Sequence, residues 1–495
     1  MSILDDARAV IANGPICDPC LGRAFAERSF GLTNDERGHA LRVASALDDD
    51  EPFEPSEGPK ACWVCEGECG NYDAWAERAV DALDGVEFAT YQVGTRVPPL
   101  VEENDRLLRE DSGLPTNAGE SFKSALNREV GKRMGERTNS TVDFERPDVL
   151  ALVNLERGDV DVQVNPAFVY GRYRKRERGI PQTKWPCQEC GGGGTQLAAD
   201  GGTEPCDHCG GSGYLYEESV EELTAPVVRD AMDGTEAVFH GAGREDVDAR
   251  TLGTGRPFVI EVKEPGRRAI DPAALEHEIN DFADGTVEVE GLRRATHEMV
   301  ERVKELDAHK TYSMSVTFVE SVAERKFAEA LATLNGATIA QDTPERVDHR
   351  RASRTRERTV YEIDGALEPD GDAGTDSTRD VDPADSATNA DAAIDADDDG
   401  ENGARRATVE LRGEGGLYVK ELVSGDGDRT EPSLAGLLAV DATVTALDVL
   451  AVEGEDEPFA TPEYVVESGS DGDADDADDA DENTNDGEDE ARRNG

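Results

Sequence analysis

Four Cys-x-x-Cys pairs constrain the fold of this chain more than any other feature. Two thiolates spaced by two residues bind one zinc ion from the same side, and a second pair completes a tetrahedral shell. The spacing therefore predicts two sites for zinc or another thiophilic metal. The predicted ligands are Cys17, Cys20, Cys62 and Cys65 for the first site, and Cys187, Cys190, Cys206 and Cys209 for the second. A closed shell of four thiolates leaves no open position for a substrate, so the predicted metal is structural; a redox pair is the alternative for any one motif.

The surroundings of the cysteines separate the two predicted sites. The second set lies among the glycine runs "GGGG" and "GGSG", which is typical of a small zinc ribbon. His208, inside "CDHC", is interpreted as a bystander rather than a ligand, and Cys69 is left over beside the first set.

The charge of the chain bears on its environment. Its 495 residues carry a formal net charge of −58, and the acidic residues occur throughout, including in segments with a folded pattern. Such an excess is self-repulsive at low salt and is screened at high salt. We interpret it as adaptation to a high-salt cytoplasm, with a partner of basic surface as the alternative. The acidity does not exclude nucleic acid as a partner.

No targeting segment or membrane span is predicted. The N-terminal stretch "MSILDDARAVIANG" is acidic and amphipathic, without a basic start or an apolar core, and no apolar run is long enough to cross a bilayer. We therefore expect a soluble, cytoplasmic protein with no membrane contact, and no obligate protein partner is apparent. The sequence leaves the oligomeric state open.

Segments with helical periodicity and segments with strand character both occur along the chain, and together they predict an α+β fold. "AWAERAVDAL", "SFKSALNREVGKRMGER" and "ERKFAEALATLN" predict helices, whereas "FATYQVGTRV", "VLALVNL", "DVQVNPAFVY", "PFVIEV", "TYSMSVTFV", "ATVELRG" and "LYVKELVS" predict strands. The predicted units are a Cys-containing module over 1–75, an α+β region over 76–170, a basic and ribbon-like segment over 171–214, and a larger α+β region over 215–466.

Two acidic segments are predicted to be disordered, namely residues 365–404 and 467–495. Both consist mainly of Asp, Ala and Gly, and neither buries enough apolar surface to offset chain entropy. The first lies between "RTVYEID" and "ATVELRG", which have the pattern of the two arms of a β-hairpin, so we interpret it as a surface insertion.

The stretch "GAGREDVDARTLGTGRPF" sets Asp246 and Asp248 between Arg244 and Arg250, with glycines on both sides. Neighbouring guanidinium groups lower the pKa of a carboxyl group and keep it ionised, which suits a reactive carboxylate on a loop. A surface loop of ion pairs is the alternative on local pattern alone.

The same stretch, extended to "AGREDVDARTLGTGRPFVIEV", resembles the active-site motif of the type-ten tRNA pseudouridine synthases of archaea and eukaryotes. "ESFKSALNREVGK" and "ERPDVLALVNL" resemble the THUMP-type domain of that family, and "GRYRKRERGIPQTKWPCQEC" is similar to its forefinger loop. "TPERVDHRRASRTRERTVYEI" and "GGLYVKELVSGDGDRTEPSLAGLL" resemble later catalytic motifs. The resemblance implies a THUMP-like domain over 76–170, a forefinger loop within 171–214 and a catalytic domain over 215–466 with a central mixed or antiparallel sheet. The source would be a halophilic archaeon.

The resemblance implies a reaction and a catalytic residue. The family isomerises uridine to pseudouridine at position 54 or 55 of the TΨC arm of tRNA, or at both, with one catalytic Asp and no cofactor; here that residue is Asp246. Lys420 matches the basic residue that pairs with it. Tyr312 matches the aromatic residue that stacks on the flipped base, a base that must leave its stack to react.

Other positions are implied as substrate contacts. Val419 and Leu447 match apolar residues near the base. Arg244 matches an arginine that contacts the RNA, and Arg178 is a candidate for a direct contact to tRNA. For Asp248 we favour a role in the turn or in an ion pair. Arg176 and Lys175 are alternatives to Arg178, and a second basic stretch runs from Arg346 to Arg358.

Two other functions compete with this one. A non-catalytic, zinc-containing RNA-binding adaptor fits the ribbon and predicts no dependence on Asp246. Another THUMP-bearing enzyme, such as a methyltransferase or a thiolation enzyme, requires a nucleotide-binding glycine loop followed by a helix, and "GTGRPF" is not followed by a helical pattern.

Glycine-rich expansion of the second cysteine cluster leaves the metal occupancy of that site open.

Overall fold

The computed structural model describes residues 2–198, 201–350, 353–368, 403–454 and 459–466, with the side chains of 348–350 excepted. The second predicted acidic segment, 467–495, lies outside the described residues. Of the first, 365–404, the two ends belong to strands and the rest, 369–402, lies outside them as well.

The helices occur in runs that are separated by runs of strands along the described chain, as in an α+β fold. They are α1 (Ile3–Ala12), α2 (Asp18–Arg23), α3 (Asn34–Asp49), α4 (Tyr72–Asp81), α5 (Pro99–Asp111), α6 (Phe122–Thr138), α7 (Val220–Ala231), α8 (Pro272–Phe282), α9 (Glu298–Glu305), α10 (Glu324–Leu334), α11 (Val419–Ser424) and α12 (Leu434–Leu438). Short 3₁₀ turns occur at Pro59–Ala61, Glu68–Gly70, Glu345–Arg350 and Pro462–Tyr464.

The strands form one small sheet, one large sheet and a two-stranded ribbon. They are β1 (Thr90–Arg96), β2 (Thr141–Val142), β3 (Val149–Asn154), β4 (Asp159–Val164), β5 (Ala167–Lys175), β6 (Thr195–Leu197), β7 (Thr203–Pro205), β8 (Glu236–Gly241), β9 (Ala249–Lys263), β10 (Val287–Ala295), β11 (Ala308–Ala323), β12 (Thr338–Gln341), β13 (Arg356–Glu368), β14 (Gly403–Gly413), β15 (Thr430–Glu431) and β16 (Ala442–Gly454).

The N-terminal part packs helices on the small sheet, whose order is β2-β1-β3-β4. Helix α6 packs against α4 and β1, and the Ser121 hydroxyl caps its N-terminus by accepting from the amide of Ser124. A single apolar cluster extends from Ala7 on α1 to Val153 on β3. The core is therefore continuous across residues 75 and 76, where the sequence predicts a boundary between two units.

The large sheet has the order β10-β5-β9-β16-β11-β14-β13-β12-β15, with β8 paired to β9 off this path. Neighbouring strands run antiparallel except β9 and β16, which are parallel, so the sheet is mixed. Strands β13 and β14 pair antiparallel, which confirms the predicted hairpin.

Strand β9 joins the two halves of the large sheet. Its first residues, Ala249–Thr251, pair with β16, whereas its later residues pair with β5 and β8. Gly253 lies at the change of partner with a φ of +54°, and a Cβ atom there would lie 2.0 Å from the carbonyl oxygen of Leu450. Only glycine allows so close an approach of β9 to β16 in this conformation.

One predicted strand is wrong, and another prediction of strand character is confirmed but covers two strands instead of one. "LYVKELVS" forms helix α11 instead of a strand. Val419, Glu421, Leu422 and Val423 are all buried, so the sequence has no periodic pattern that would distinguish a helix from a strand here. "DVQVNPAFVY" forms two strands, β4 and β5, because Pro166 between them has no amide to donate to a sheet. None of the described helices combines the length and apolarity that a bilayer crossing would need.

Candidate active site

The loop of residues 242–248, here called the β8–β9 loop, lies where the two halves of the large sheet meet. A cavity of about 610 Å³ opens beside it, between the loop, strands β11 and β16, and the start of α11. That volume is within the range of small-molecule sites. The residues that the sequence predicts as catalytic or base-binding all line this cavity: Arg244, Asp246, Tyr312, Val419, Lys420 and Leu447.

Asp246 is held by two cations. Its Oδ2 atom lies 3.2 Å from Nζ of Lys420 and 3.2 Å from Nη1 of Arg346. Burial by itself would raise the pKa of Asp246, but the charges of Arg346 and Lys420 outweigh it and hold the pKa below its ordinary value. The carboxylate is therefore ionised at neutral pH and able to act on an electron-deficient carbon. Lys420 is the partner predicted from the sequence.

Arg346 was not predicted as a partner of Asp246. The sequence placed it in a basic stretch for RNA contact, but its Nε atom donates to Oε1 of Glu421 at 2.6 Å. Glu421 is buried on α11 and fixes one side of the guanidinium, which leaves the other side facing Asp246. Arg346 thus connects α11 to the β8–β9 loop.

Asp248 shares the ammonium of Lys420 with Asp246, at the exposed side of that ion pair. Both of its carboxylate oxygens accept from Nζ of Lys420 at 2.8 Å, and the Asp248 side chain is 70% exposed. Its geometry suits the ion-pair role that the sequence analysis favoured. Arg244 is exposed, with its guanidinium carbon 5.3 Å from the ring centroid of Trp185.

Three side chains form the apolar part of the cavity. Tyr312 and Leu447 extend from the neighbouring strands β11 and β16, and Val419 begins α11. All three are buried in the unliganded chain. Burial raises the pKa of Tyr312 to about 12, with Arg256 opposing and Asp246 reinforcing the shift. Tyr312 is therefore a neutral phenol at neutral pH, with a ring against which a planar base can stack.

A buried polar network supports the β8–β9 loop from below, and the sequence analysis did not predict it. Glu245 is at its centre. The carboxylate of Glu245 lies 2.9 Å from Nε of Arg256, accepts from the hydroxyl of Tyr173 at 2.9 Å and lies 3.9 Å from Nζ of Lys175. The side chains of Glu245, Arg256 and Lys175 are 1% exposed or less. Buried charges of this kind are retained where they are paired and hydrogen-bonded.

The network bonds directly to the backbone of the loop. Lys175 Nζ donates to the carbonyl oxygens of Asp246 and Val247, at 3.2 and 3.1 Å, and to that of Ile180 at 2.8 Å. Arg256 Nη1 donates to the carbonyl of residue 242 at 2.7 Å. The side chain that bears the reactive carboxylate is thus mounted on a backbone fixed at several points.

This arrangement corrects one expectation. Lys175 was offered as an alternative to Arg178 for contacting RNA, but Lys175 is fully buried and its ammonium faces the loop. The burial pattern of β5 alternates over its last residues: Tyr173 and Lys175 face the core, whereas Arg172 and Arg174 do not. A strand predicted over 171–175 has a side-chain period of two, which would have distinguished the core-facing Lys175 from the outward-facing Arg172 and Arg174.

Arg178 lies on the segment that follows β5. Its Nη1 atom donates to the carbonyls of Asp248 and Leu447, at 2.9 and 2.6 Å, and its Nη2 atom to Oδ1 of Asp448 at 2.5 Å. The structure thus shows Arg178 fastening its segment to the β8–β9 loop and β16. Its contact with tRNA remains a prediction.

The first cysteine cluster differs from the predicted set by one residue. The four Sγ atoms that lie within 4.8 Å of one another belong to Cys17, Cys20, Cys65 and Cys69. Cys62, which the sequence analysis included, is buried nearby but is not a member of this group. Glu66 and Gly67 have positive φ values of 51° and 94°. This reverses the chain after Cys65 and brings Cys69 to the cluster in place of Cys62.

The second cluster contains the predicted set, Cys187, Cys190, Cys206 and Cys209. Sulfur–sulfur distances of 3.7 to 4.0 Å occur in the two clusters, close to the edge of about 3.8 Å expected for a tetrahedron with zinc–sulfur bonds of about 2.3 Å. Cys190 and Cys209 also accept from the amides of Gly194 and Gly213, at 3.3 and 3.2 Å. Both donor sets therefore fit a structural zinc ion.

Comparison with known proteins agrees with these features. The model of the archaeal Pus10 THUMP domain matches residues 75–154, and the Pus10 C-terminal model matches 168–371 and 393–453. The tRNA pseudouridine synthase Pus10 of Halorubrum lacusprofundi is 58% identical over 94% of this chain and 99% of that protein. Its counterpart in Methanothrix thermoacetophila is 40% identical over 91% and 95%, respectively.

A search of solved structures gave weaker similarity. One chain of a Cbf5-Nop10-Gar1 complex is 16% identical and matches 48% of this chain and 46% of that chain, with a TM-score of 0.26. That likeness is too low to support an inference. The sequence matches, in contrast, confirm the family resemblance that the motifs indicated.

Proposed function

The chain belongs to the Pus10 family of tRNA pseudouridine synthases, which are isomerases, and from this premise we propose that Asp246 is its catalytic carboxylate. The proposed reaction converts uridine to pseudouridine at position 54 or 55 of the TΨC arm of tRNA, or at both. The observation that carries the proposal is the ionised Asp246, paired with Arg346 and Lys420 beside a cavity with an aromatic and two apolar residues.

The reaction exchanges one glycosidic bond for another. The bond between C1′ of the ribose and N1 of uracil breaks, the base rotates, and C1′ forms a bond to C5; the proton on C5 is lost and N1 gains one. Carbon C1′ becomes electron-deficient when the first bond breaks. A carboxylate held next to it stabilises that charge, and a low pKa keeps the carboxylate available.

The cavity provides for the base. In a duplex or folded arm the target uridine must leave its stack before it can reach Asp246, at a cost of a few kcal/mol. The ring of Tyr312 and the side chains of Val419 and Leu447 offer stacking and apolar contact that recover part of that cost. Neither the carboxylate nor these side chains require a cofactor for the reaction, and the proposal includes none.

Contacts to tRNA are proposed for cationic residues around the cavity. Arg244 is exposed beside Trp185, and Arg172 and Arg174 line a second depression next to β16. Guanidinium groups suit phosphate because they bind it in a bidentate manner. At high salt, purely electrostatic binding weakens, so the shape of a folded tRNA and base stacking carry more of the affinity. A cytoplasmic location follows from a tRNA substrate.

The two cysteine clusters would hold structural zinc. Cys17, Cys20, Cys65 and Cys69 would fix α2 and the turns around residues 65–69 to the N-terminal core, to which they already belong. The second cluster would close the ribbon that contains β6 and β7. Bound zinc contributes folding free energy directly in such sites. Because four thiolates would fill each tetrahedral shell, the metal would have no open position for a substrate and would supply no reaction step.

An unmodified tRNA transcript tests the function. Incubation with the protein in multimolar KCl, followed by mapping of pseudouridine, should show product at position 54, position 55 or both. Asp246→Asn should abolish product while tRNA binding remains, because the amide keeps the size of the side chain and removes the charge. Asp248→Asn is the matched control and should retain most activity, since its exposed ion pair contributes little.

The outcomes separate the alternatives. Product from Asp246→Asn at the rate of the unmodified protein would refute the catalytic assignment. Tight tRNA binding without any product from the unmodified protein would favour the RNA-binding adaptor instead.

A further inference from the structure

Lys310 differs from the other cations that line the cavity. Arg346 and Lys420 are paired with carboxylates, and Arg256 is paired with Glu245. The guanidinium of Arg244 is exposed and lies over the ring of Trp185. Within the part of the chain that the structure describes, the ammonium of Lys310 has no hydrogen bond and no ion pair, although it lines the same cavity. An enclosed cation without a partner, in a site where the other cations each contact a carboxylate or an aromatic ring, suggests that its partner arrives with the substrate.

The position of Lys310 directs it toward the base rather than toward the outer surface. It lies on β11 two residues before Tyr312, so the two side chains project from the same face of the strand. A Cβ atom added to Gly243 would lie 3.7 Å from Nζ of Lys310 and 3.4 Å from Nη1 of Arg256. The ammonium is therefore at the back of the cavity, against the β8–β9 loop and beside the buried guanidinium.

This placement costs free energy in the unliganded protein. Burial and the charge of Arg256 lower the pKa of Lys310 to about 8, although Glu245 and Asp307 act in the opposite direction. Lys310 is still protonated in most molecules at neutral pH. An anion that forms in the cavity would relieve the repulsion between Lys310 and Arg256.

We propose that the protonated Lys310 stabilises the uracil anion that forms when the glycosidic bond breaks. The inference rests on the proposed function. When the C1′–N1 bond breaks, uracil leaves with the electron pair, and the negative charge spreads over N1, O2 and O4. Lys310 donates a hydrogen bond to this anion and keeps its own proton. The electron pair at C5 then forms the new bond to C1′, so the charge that Lys310 stabilises is transient.

Two substitutions test this role. Lys310→Met removes the charge and preserves the length of the side chain, whereas Lys310→Arg keeps the charge at every accessible pH. Removal of one preorganised electrostatic donor typically lowers kcat by about a hundredfold to a thousandfold. We expect a loss of that size for Lys310→Met with little change in KM or in tRNA binding, and a loss of less than about tenfold for Lys310→Arg.

The pH profile of kcat/KM distinguishes this role from a structural one. For the unmodified protein, kcat/KM should fall as the pH rises through about 8, where Lys310 loses its proton. Lys310→Arg should remove that fall. The charged and titratable groups that face Lys310 are Arg256 on β9, Glu245 and Asp246 on the β8–β9 loop, and Asp307 and Tyr312 on or beside β11; none of these is altered by the substitution.

Several outcomes would overturn the inference about Lys310. A value of kcat for Lys310→Met within twofold of the unmodified protein would do so, as would an alkaline fall that persists in Lys310→Arg. If kcat/KM instead increases as the pH rises through 8, and this increase is absent from Lys310→Arg, then Lys310 acts as a proton acceptor. An unmodified protein that forms no pseudouridine refutes the proposed function itself, whereas an active unmodified protein with unimpaired Lys310→Met refutes only this inference.

Discussion

Replacement of Glu245 by Gln should destabilise this protein more than any other single loss of charge in the buried network. Glu245 is the carboxylate that faces both Arg256, at 2.9 Å, and Lys175, at 3.9 Å, and all three side chains are nearly inaccessible to solvent. Gln keeps the shape but leaves two buried cations without an anion. Breaking a buried ion pair in this way costs about 3–5 kcal/mol of unfolding free energy.

Two further variants calibrate that value. Lys175→Met leaves the pair between Arg256 and Glu245 intact and removes one cation with its hydrogen bonds, so we expect a smaller loss of about 1.5–3 kcal/mol. Glu236→Gln breaks an ion pair to Lys263 with the same 2.9 Å separation, but there the two side chains are 60% and 42% exposed. Its effect should be much smaller than that of Glu245→Gln, because solvent screens the pair.

Urea unfolding, followed by fluorescence at a fixed KCl concentration, measures the three differences by linear extrapolation. Repetition at a second KCl concentration should change the effect of Glu236→Gln more than that of Glu245→Gln, because salt screens only the exposed pair. A cost for Glu245→Gln no larger than that for Glu236→Gln would refute the reasoning, since it would mean that Glu245 does not hold the two cations. Pseudouridine formation by Lys175→Met should also fall, because Lys175 positions the backbone of Asp246.

Three other predictions concern the metal, the forefinger segment and pH. Cys69→Ser should lower the zinc bound per chain, whereas Cys62→Ser should retain it; metal analysis that gives the reverse order would restore the set predicted from spacing. Arg178→Ala should lower product at one of positions 54 and 55 more than at the other, and equal losses would contradict a role in placing tRNA. Because the charges of Arg346 and Lys420 hold the pKa of Asp246 below its ordinary value, kcat/KM should stay constant from neutral into mildly acidic pH. A fall in kcat/KM that begins close to neutral pH would contradict these ion pairs. The same group contributes stability above its unfolded pKa that is lost as the pH falls through the folded value.

Elements with local signals are predictable from the amino-acid sequence alone. The 3.6-residue periodicity of "ERKFAEALATLN" predicted α10, and the two apolar alternations around the acidic insertion predicted the hairpin of β13 and β14. The motif around Asp246, together with Tyr312 and Lys420 far along the chain, indicated the family because residue identity at those positions is specific to it. Apart from Arg178, the six residues predicted to be catalytic or to contact the substrate all line one cavity.

Contacts between residues far apart in the chain depend on the tertiary structure and were not predictable from local patterns. Cys69 replaces Cys62 because left-handed residues reverse the chain after Cys65, a conformation that the spacing of cysteines does not encode. "LYVKELVS" is helical because the buried surroundings of α11, rather than a local period, fix its conformation.

The cations show the same division most clearly. In the sequence, Lys175 and Arg346 are members of basic runs, and both runs are typical of solvent-exposed surfaces. In the structure, the pairing of β5 with β9 turns Lys175 into the core beneath Asp246, and buried Glu421 holds Arg346 against the carboxylate. A lysine or arginine side chain is chemically the same at the surface and in the core. Its burial and its partners set its pKa and its role, and both depend on strand pairing between residues far apart in the chain.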